Sequence, residues 1–178
     1  MIYVGIDFSV VSPALTIYKD GEYKYISFTA KKGKRHKELE EFIDVIEYLH
    51  QTVKDDYVLS EQIKIIEAIN LANLICDTLD EQLQILGADS AKNSLKIGLE
   101  GFSFNSISNS TLDLCLYQSI LRSELSRRYN VQNLFIFSPS SIKKNFTGKG
   151  NATKVDMIEE FKKQISEDDV LYNYIKDF

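Results

Sequence analysis

Ile2-Tyr3-Val4-Gly5-Ile6-Asp7-Phe8-Ser9, followed by Pro13-Ala14-Leu15-Thr16-Ile17-Tyr18, is the stretch on which the fold turns. Its first six residues form a short, nearly continuous apolar run, the pattern of a strand buried on both faces. An aspartate ends it. Pro13 breaks the run, and Ala14 to Tyr18 reads as a second strand. Lys19-Asp20-Gly21-Glu22 places an Asp-Gly pair between strand-like runs, a strong signal for a two-residue hairpin. Tyr23 to Thr29 reads as a third strand. The chain thus opens with an antiparallel meander whose first strand ends in an acid.

Outward from the meander, residues 30–37 read as a polar, basic loop. Over Glu38 to Lys54 the positions Leu39, Phe42, Ile43, Val45, Ile46 and Leu49 fall near a helical stripe and predict a helix. Ser60 is a candidate cap for a long helix with Ile63, Ile66, Ile69, Leu71, Leu74, Ile75, Leu79 and Leu83 as its apolar set. Leu95-Lys96-Ile97-Gly98-Leu99-Glu100 reads as a strand, again ending in an acid. Asn109 or Ser110 caps a helix to about Tyr129, with Leu112, Cys115, Leu116, Ser119, Ile120 and Leu125 inward. Leu134 to Phe137 reads as a fifth strand. Ser138-Pro139 stops it and starts a short helix near Ile142–Phe146, Thr153 caps another to about Ile165, and a last helical stretch begins at Glu167. Three antiparallel strands followed by βα units imply an α/β domain, a mixed five-stranded sheet with helices on both faces.

Composition agrees with one globular domain: of 178 residues, 44% are apolar and 26% charged. This excludes disordered, collagen-like and disulfide-stapled chains. No apolar run approaches the roughly 18 residues of a membrane span. The opening residues lack a basic signal-peptide region, so the expected compartment is the cytoplasm of a bacterial or phage-infected cell. Cys76 and Cys115 sit in apolar helical stretches without a CxxC, the pattern of buried, inert thiols. His36 and His50 stand in no ligand spacing, which argues against zinc.

Net charge is −5, but its distribution is uneven. Lys31, Lys32, Lys34, Arg35 and Lys37 form one basic cluster, and Lys143, Lys144, Lys149 and Lys154 another. Acids concentrate in 38–61 and 156–169. This suits a nucleic-acid enzyme that also holds metal ions, although either cluster alone reads first as a solvated surface.

Asp7 and Glu100 are the candidate chemistry-bearing residues. If their strands are parallel neighbours, both carboxylates emerge at the sheet edge where α/β folds place their ligands. Two carboxylates with no histidine or cysteine suit a hard divalent ion, Mg²⁺ or Mn²⁺. Paired metals can activate a water and stabilise the leaving oxygen of a phosphodiester. The plainer reading of a single strand-end acid is a helix cap or a surface residue.

Gly5-Ile6-Asp7-Phe8-Ser9 with Pro13 to Tyr18 resembles the first strand and hairpin of RuvC-like Holliday junction resolvases, most of all the phage-type branch of that RNase H-like superfamily. Ile97-Gly98-Leu99-Glu100-Gly101 resembles the segment holding the family's second catalytic acid. Ser138-Pro139-Ser140-Ser141-Ile142-Lys143-Lys144, the turn Thr147 to Asn151 and Ala152-Thr153-Lys154 resemble its Pro–x–x–(Val/Ile)–Lys–Lys, small-residue turn and Ala–x–Lys helix entry. The three segments stand in family order.

The resemblance implies an RNase H-like nuclease domain over 1–178. It implies Asp7 and Glu100 as catalytic metal ligands, and Lys143, Lys144 and Lys154 near the nucleic-acid path. The family places one or two further acids on a final helix packed against the sheet, usually as Asp–x–x–Asp, a pattern missing up to Phe178. Asp168 and Asp169 are adjacent, so on a helix they diverge by about 100°. Asp177 follows at the chain's end. Three alternatives stay open: the chain stops before the catalytic helix, one of Asp168, Asp169 or Asp177 substitutes, or the site is incomplete.

Phe102 and Phe104 beside Glu100 read either as wedges against unpaired bases or as core at the loop base. The Leu112–Leu125 stripe reads first as core and otherwise as a dimer face. Thr147-Gly148-Lys149-Gly150 lacks the Walker A spacing, so no nucleotide cofactor is expected, although its glycines and Lys149 could admit a phosphate. The expected function is a Mg²⁺- or Mn²⁺-dependent endonuclease that resolves four-way or other branched DNA as a homodimer, with no membrane partner. The alternative is a catalytically incomplete RNase H-like module binding branched nucleic acid or a protein. An actin-like ATPase fragment shares only the Gly-Ile-Asp opening.

Overall fold

The computed structural model describes residues 1–53, 55–86, 94–102 and 109–176. β1 (Ile2–Asp7), β2 (Ala14–Lys19) and β3 (Glu22–Thr29) form the meander. At its turn Asp20 and Gly21 both have positive φ, 52° and 99°, as a type I′ hairpin requires. α1 (Lys34–Leu39), β4 (Asp44–Glu47), α2 (Tyr57–Ile85), β5 (Leu95–Glu100), α3 (Asn109–Tyr129), β6 (Leu134–Phe137), α4 (Pro139–Thr147), α5 (Lys154–Gln164) and α6 (Val170–Ile175) follow.

Among the described residues the sheet has six strands in the order β4-β3-β2-β1-β5-β6. The mixed α/β sheet, an antiparallel meander extended by parallel strands, is as expected, and β4 corrects the expected count of five. Its segment lies in the stretch 38–54, whose apolar spacing predicts a helix. Instead β-branched Val45 and Ile46 pair in parallel with Ser27 and Phe28, and Tyr48 N–H continues the ladder to the Thr29 carbonyl at 3.0 Å. β-Branched residues favour a pleated surface when a strand edge is available; only six residues, 34–39, remain helical.

One face of the sheet builds the core. Ile2, Val4, Ile6, Leu15, Ile17, Ile26, Phe28, Leu95, Ile97 and Leu99 are buried beneath α2 and α3. α2 begins at Tyr57 with Asp56 as its cap, accepting from Leu59 N at 2.9 Å, rather than at Ser60. α3 buries Tyr117, Gln118, Leu121, Leu125 and Tyr129, whereas Leu112 and Ser119, expected inward, are exposed. The tyrosines can sit inside because their hydroxyls find acceptors: Tyr117 donates to Glu67 at 3.0 Å, and Tyr129 to Asp80 at 2.7 Å with the Cys76 carbonyl 3.0 Å away. Cys76 is fully buried, which pushes its thiol up to about 12, the state of an inert packing residue.

α4 starts as its sequence indicates: Ser138 caps it, accepting from Ser141 N at 3.1 Å, Pro139 opens the first turn, and left-handed Gly148 ends it. Thr153 and Asp156 form a capping box for α5. α6 is capped by Asp169 rather than by Ser166. No described helix is long and apolar enough to cross a membrane.

Candidate active site at the carboxyl edge

β1 and β5 pair in parallel with Ile6 opposite Leu99, so the next residues, Asp7 and Glu100, end adjacent strands side by side. Neighbouring strands lie about 4.8 Å apart, and in-register residues of a parallel pair share a face. The burial alternation of both strands sets that face: Val4, Ile6, Ile97 and Leu99 point into the core, while Gly5, Asp7, Gly98 and Glu100 point away.

On that second face the acids cap a trough. Thr16, Gly5, Gly98 and Phe135 lie in one row across the sheet, and Ala14, Asp7, Glu100 and Phe137 in the next. A Cβ on Gly5 would meet nothing within 4 Å, whereas one on Gly98 would lie 3.3 Å from the Phe137 ring. The backbone at Gly5 is therefore open below Asp7, while the Phe137 ring, 44% exposed, lies against Gly98.

Glu100 is half-buried and Asp7 exposed. Burial, and then the neighbouring Asp7 charge, hold the Glu100 carboxyl above the usual glutamate range, while Lys143 pulls it down. Two like charges forced together at an open edge form a set of hard oxygen donors whose repulsion a divalent cation would relieve. Metal-free folded protein holds the Glu100 proton more tightly than the unfolded chain, so this group's contribution to stability falls as pH rises above the ordinary value of about 4.3. Asp7→Asn removes the repulsion. Its stability advantage over the parent should widen as pH rises above that value. Urea denaturation in EDTA at several pH values measures it, and an advantage that does not change with pH would contradict the coupling.

β1, β3, β4, β5 and β6 all run towards this edge, with β2 alone opposed. The basic clusters consequently flank the acids. Lys31, Lys32, Lys34 and Arg35 follow β3; Lys32 pairs with Glu40, and Lys34 lies 3.7 Å from Glu38. Lys143 is half-buried on α4, directly after β6, and Lys144, Lys149 and Lys154 are exposed around the α4–α5 turn.

Asp168 is exposed. Asp169 caps α6 and accepts from Tyr25 Oη at 3.1 Å over β3, so the fold does not bring it to the acid pair. Phe104 and Asp177 lie outside the described residues. Among the described residues no group of three or more Asp, Glu, His or Cys gathers into a metal-binding set.

Sequence reasoning missed Gln118 and Arg122. Gln118 Nε2 donates to the Glu100 carbonyl at 2.6 Å, and the Arg122 guanidinium lies 4.4 Å over the Phe102 ring. A lone amide on an otherwise apolar helix seam was the available signal.

Solved structures similar to this chain include two of a bacterial protein. One is a Thermus thermophilus RuvC structure, 12% identical over 98% of this chain and 89% of that one, with a TM-score of 0.45. The other is T. thermophilus RuvC in complex with Holliday junction substrate, 11% identical over 92% of this chain and 78% of that one, with a TM-score of 0.48. No family model matches the sequence. No curated protein matches it.

Proposed function

We propose that this chain is a divalent-metal-dependent endonuclease that cuts four-way or other branched DNA. The observation that carries the reading is the pair of carboxylates, Asp7 and Glu100, side by side on one face at the carboxyl edge, with open backbone at Gly5 below Asp7. Asp7 and Glu100 would hold Mg²⁺ or Mn²⁺; when bound, such an ion supplies Lewis-acid stabilisation of charge on the phosphodiester oxygens. Gly5 leaves room below Asp7 for another ligand-bearing element, where the resemblance implies the family's remaining acids. Lys143 puts a positive charge beside Glu100 and would offset the charge of an incoming phosphate. Lys31, Lys34, Arg35, Lys144, Lys149 and Lys154 would receive the arms on either side, so binding should weaken steeply with salt. The test is nicking of a synthetic four-way junction in Mg²⁺, Mn²⁺ or EDTA: cuts in either metal and none in EDTA are expected. Tight binding without nicking in either metal would favour a non-catalytic junction-binding module, a reading supported by the gathering of only two acids among the described residues.

Paired cuts on a symmetric junction call for two sites related by a twofold axis. The apolar surface suited to such a dimer lies on α2, where Val58, Ile65, Ile66 and Ile69 are exposed, Ile66 by 57%; Leu121 and Leu125 of α3 are used in the core. Ile66→Glu is expected to shift the light-scattering mass from dimer to monomer, with dimer affinity lowered at least tenfold, about 1.4 kcal/mol. An unchanged dimer mass would move the interface elsewhere.

A further inference from the structure

Gln118 is 3% exposed on the inner side of α3. A buried amide costs stability unless both of its ends are bonded, and here both are. Nε2 donates to the Glu100 carbonyl at 2.6 Å, and Oε1 accepts from Arg122 Nη2 at 3.2 Å. Arginine can only donate, so it fixes the sense of the amide, with the NH₂ group turned to Glu100.

Arg122 is held in turn by the Phe102 ring, 4.4 Å from its guanidinium carbon. Its Nε is buried with no hydrogen-bond partner among the described residues, and no described carboxylate forms an ion pair with it. A partly buried cation without a carboxylate is a poor device for stability alone. On the opposite side, Gly101 N–H donates to the Phe137 carbonyl at 2.6 Å. A Cβ at Gly101 would stand 3.2 Å from that oxygen. Three consecutive residues, Glu100, Gly101 and Phe102, are thus fixed by three separate contacts where the β1–β5 register gives out after Leu99.

We infer that Gln118 and Arg122 are positioning residues for Glu100, holding the end of β5 so that its carboxylate stays beside Asp7 against their mutual repulsion. This rests on the reading of Asp7 and Glu100 as a cation site. The work of the α3 amide is to resist a splaying of the strand ends that would separate the two donors, and a metal site is sensitive to such outer contacts.

The experiment titrates Mn²⁺ into metal-free protein, reading free Mn²⁺ by electron paramagnetic resonance with no DNA present. Gln118→Met keeps length and volume but removes both hydrogen bonds. It should weaken Mn²⁺ binding by roughly 10- to 100-fold, while four-way-junction binding in EDTA stays within about twofold of the parent. Phe102→Leu, which removes the face under Arg122 at a half-buried position, should weaken Mn²⁺ by about fivefold, and it carries the test if Gln118→Met does not fold. Asp7→Asn and Glu100→Gln are the reference variants. If these two lower Mn²⁺ affinity and Gln118→Met, or Phe102→Leu in its place, does not, the positioning role is overturned and the cation site stands. A lowered melting temperature with unchanged Mn²⁺ affinity overturns it equally, since that is all a packing role would do. If Asp7→Asn and Glu100→Gln leave Mn²⁺ binding untouched, the cation site itself is overturned.

Discussion

Asp7→Asn is expected to lower nicking of a four-way junction at least about 10³-fold and to leave junction binding in EDTA equal or tighter. Asp7 closes β1 beside Glu100, with its side chain in solvent rather than in the core. The amide keeps its shape and removes only the charge, so folding should be unharmed and repulsion towards phosphate relieved. What is lost is a hard anionic donor, for which an amide oxygen is a weak substitute. If the two acids act as one unit, Asp7→Asn combined with Glu100→Gln should be little worse than either alone. Single-turnover cleavage and gel-shift titration measure the two halves of this expectation. Binding lost in step with nicking, at equal stability, would take Asp7 out of the site.

Glu67→Leu is expected to destabilise the fold by about 3–5 kcal/mol, the usual result of breaking a buried charged network from one side. Glu67 lies on α2 and is 9% exposed. Its carboxylate accepts from His50 Nδ1 at 2.9 Å, from Tyr117 Oη at 3.0 Å and from the main-chain N–H of Gln51. These donors come from the segment after β4 and from α3, so one side chain ties three parts of the chain together. Leucine would leave all three donors without a partner. For a chain of this size the melting temperature should fall by roughly 10 °C. Glu67→Gln keeps one acceptor oxygen and should lose about half as much. Thermal and urea denaturation check both, and a loss below about 1 kcal/mol for the leucine variant would show that water satisfies the donors instead.

The opening meander was legible because each signal was local. Asp20-Gly21 can adopt the positive φ values of a type I′ turn, and apolar runs on either side gave the strands. Asp7 beside Glu100 was legible too, since each acid ends a strand-like run and the order of elements made those strands parallel neighbours. β4 was not. Leu39, Phe42, Ile43, Val45, Ile46 and Leu49 satisfy a helical spacing, and only the free edge of β3 decides for a strand. The seam of α3 was misplaced for a related reason. Tyr117, Gln118 and Tyr129 look like surface residues until Glu67, the Glu100 carbonyl and Asp80 are there to receive their hydrogen bonds. Such partners belong to other elements, and no spacing within the helix reveals them.

The single opposed strand, β2, has a practical consequence for handling the molecule. Its hairpin turn at Asp20-Gly21 lies at the end of the sheet where β1 begins, with Ile2 opposite Lys19, a full strand length from the acids. A linker, affinity tag or fluorophore inserted at that turn would sit behind the working edge. The chain could then be anchored to a glass surface or bead through the hairpin, with Asp7, Glu100 and both basic flanks facing the bulk solution, an orientation suited to watching single DNA molecules arrive and leave.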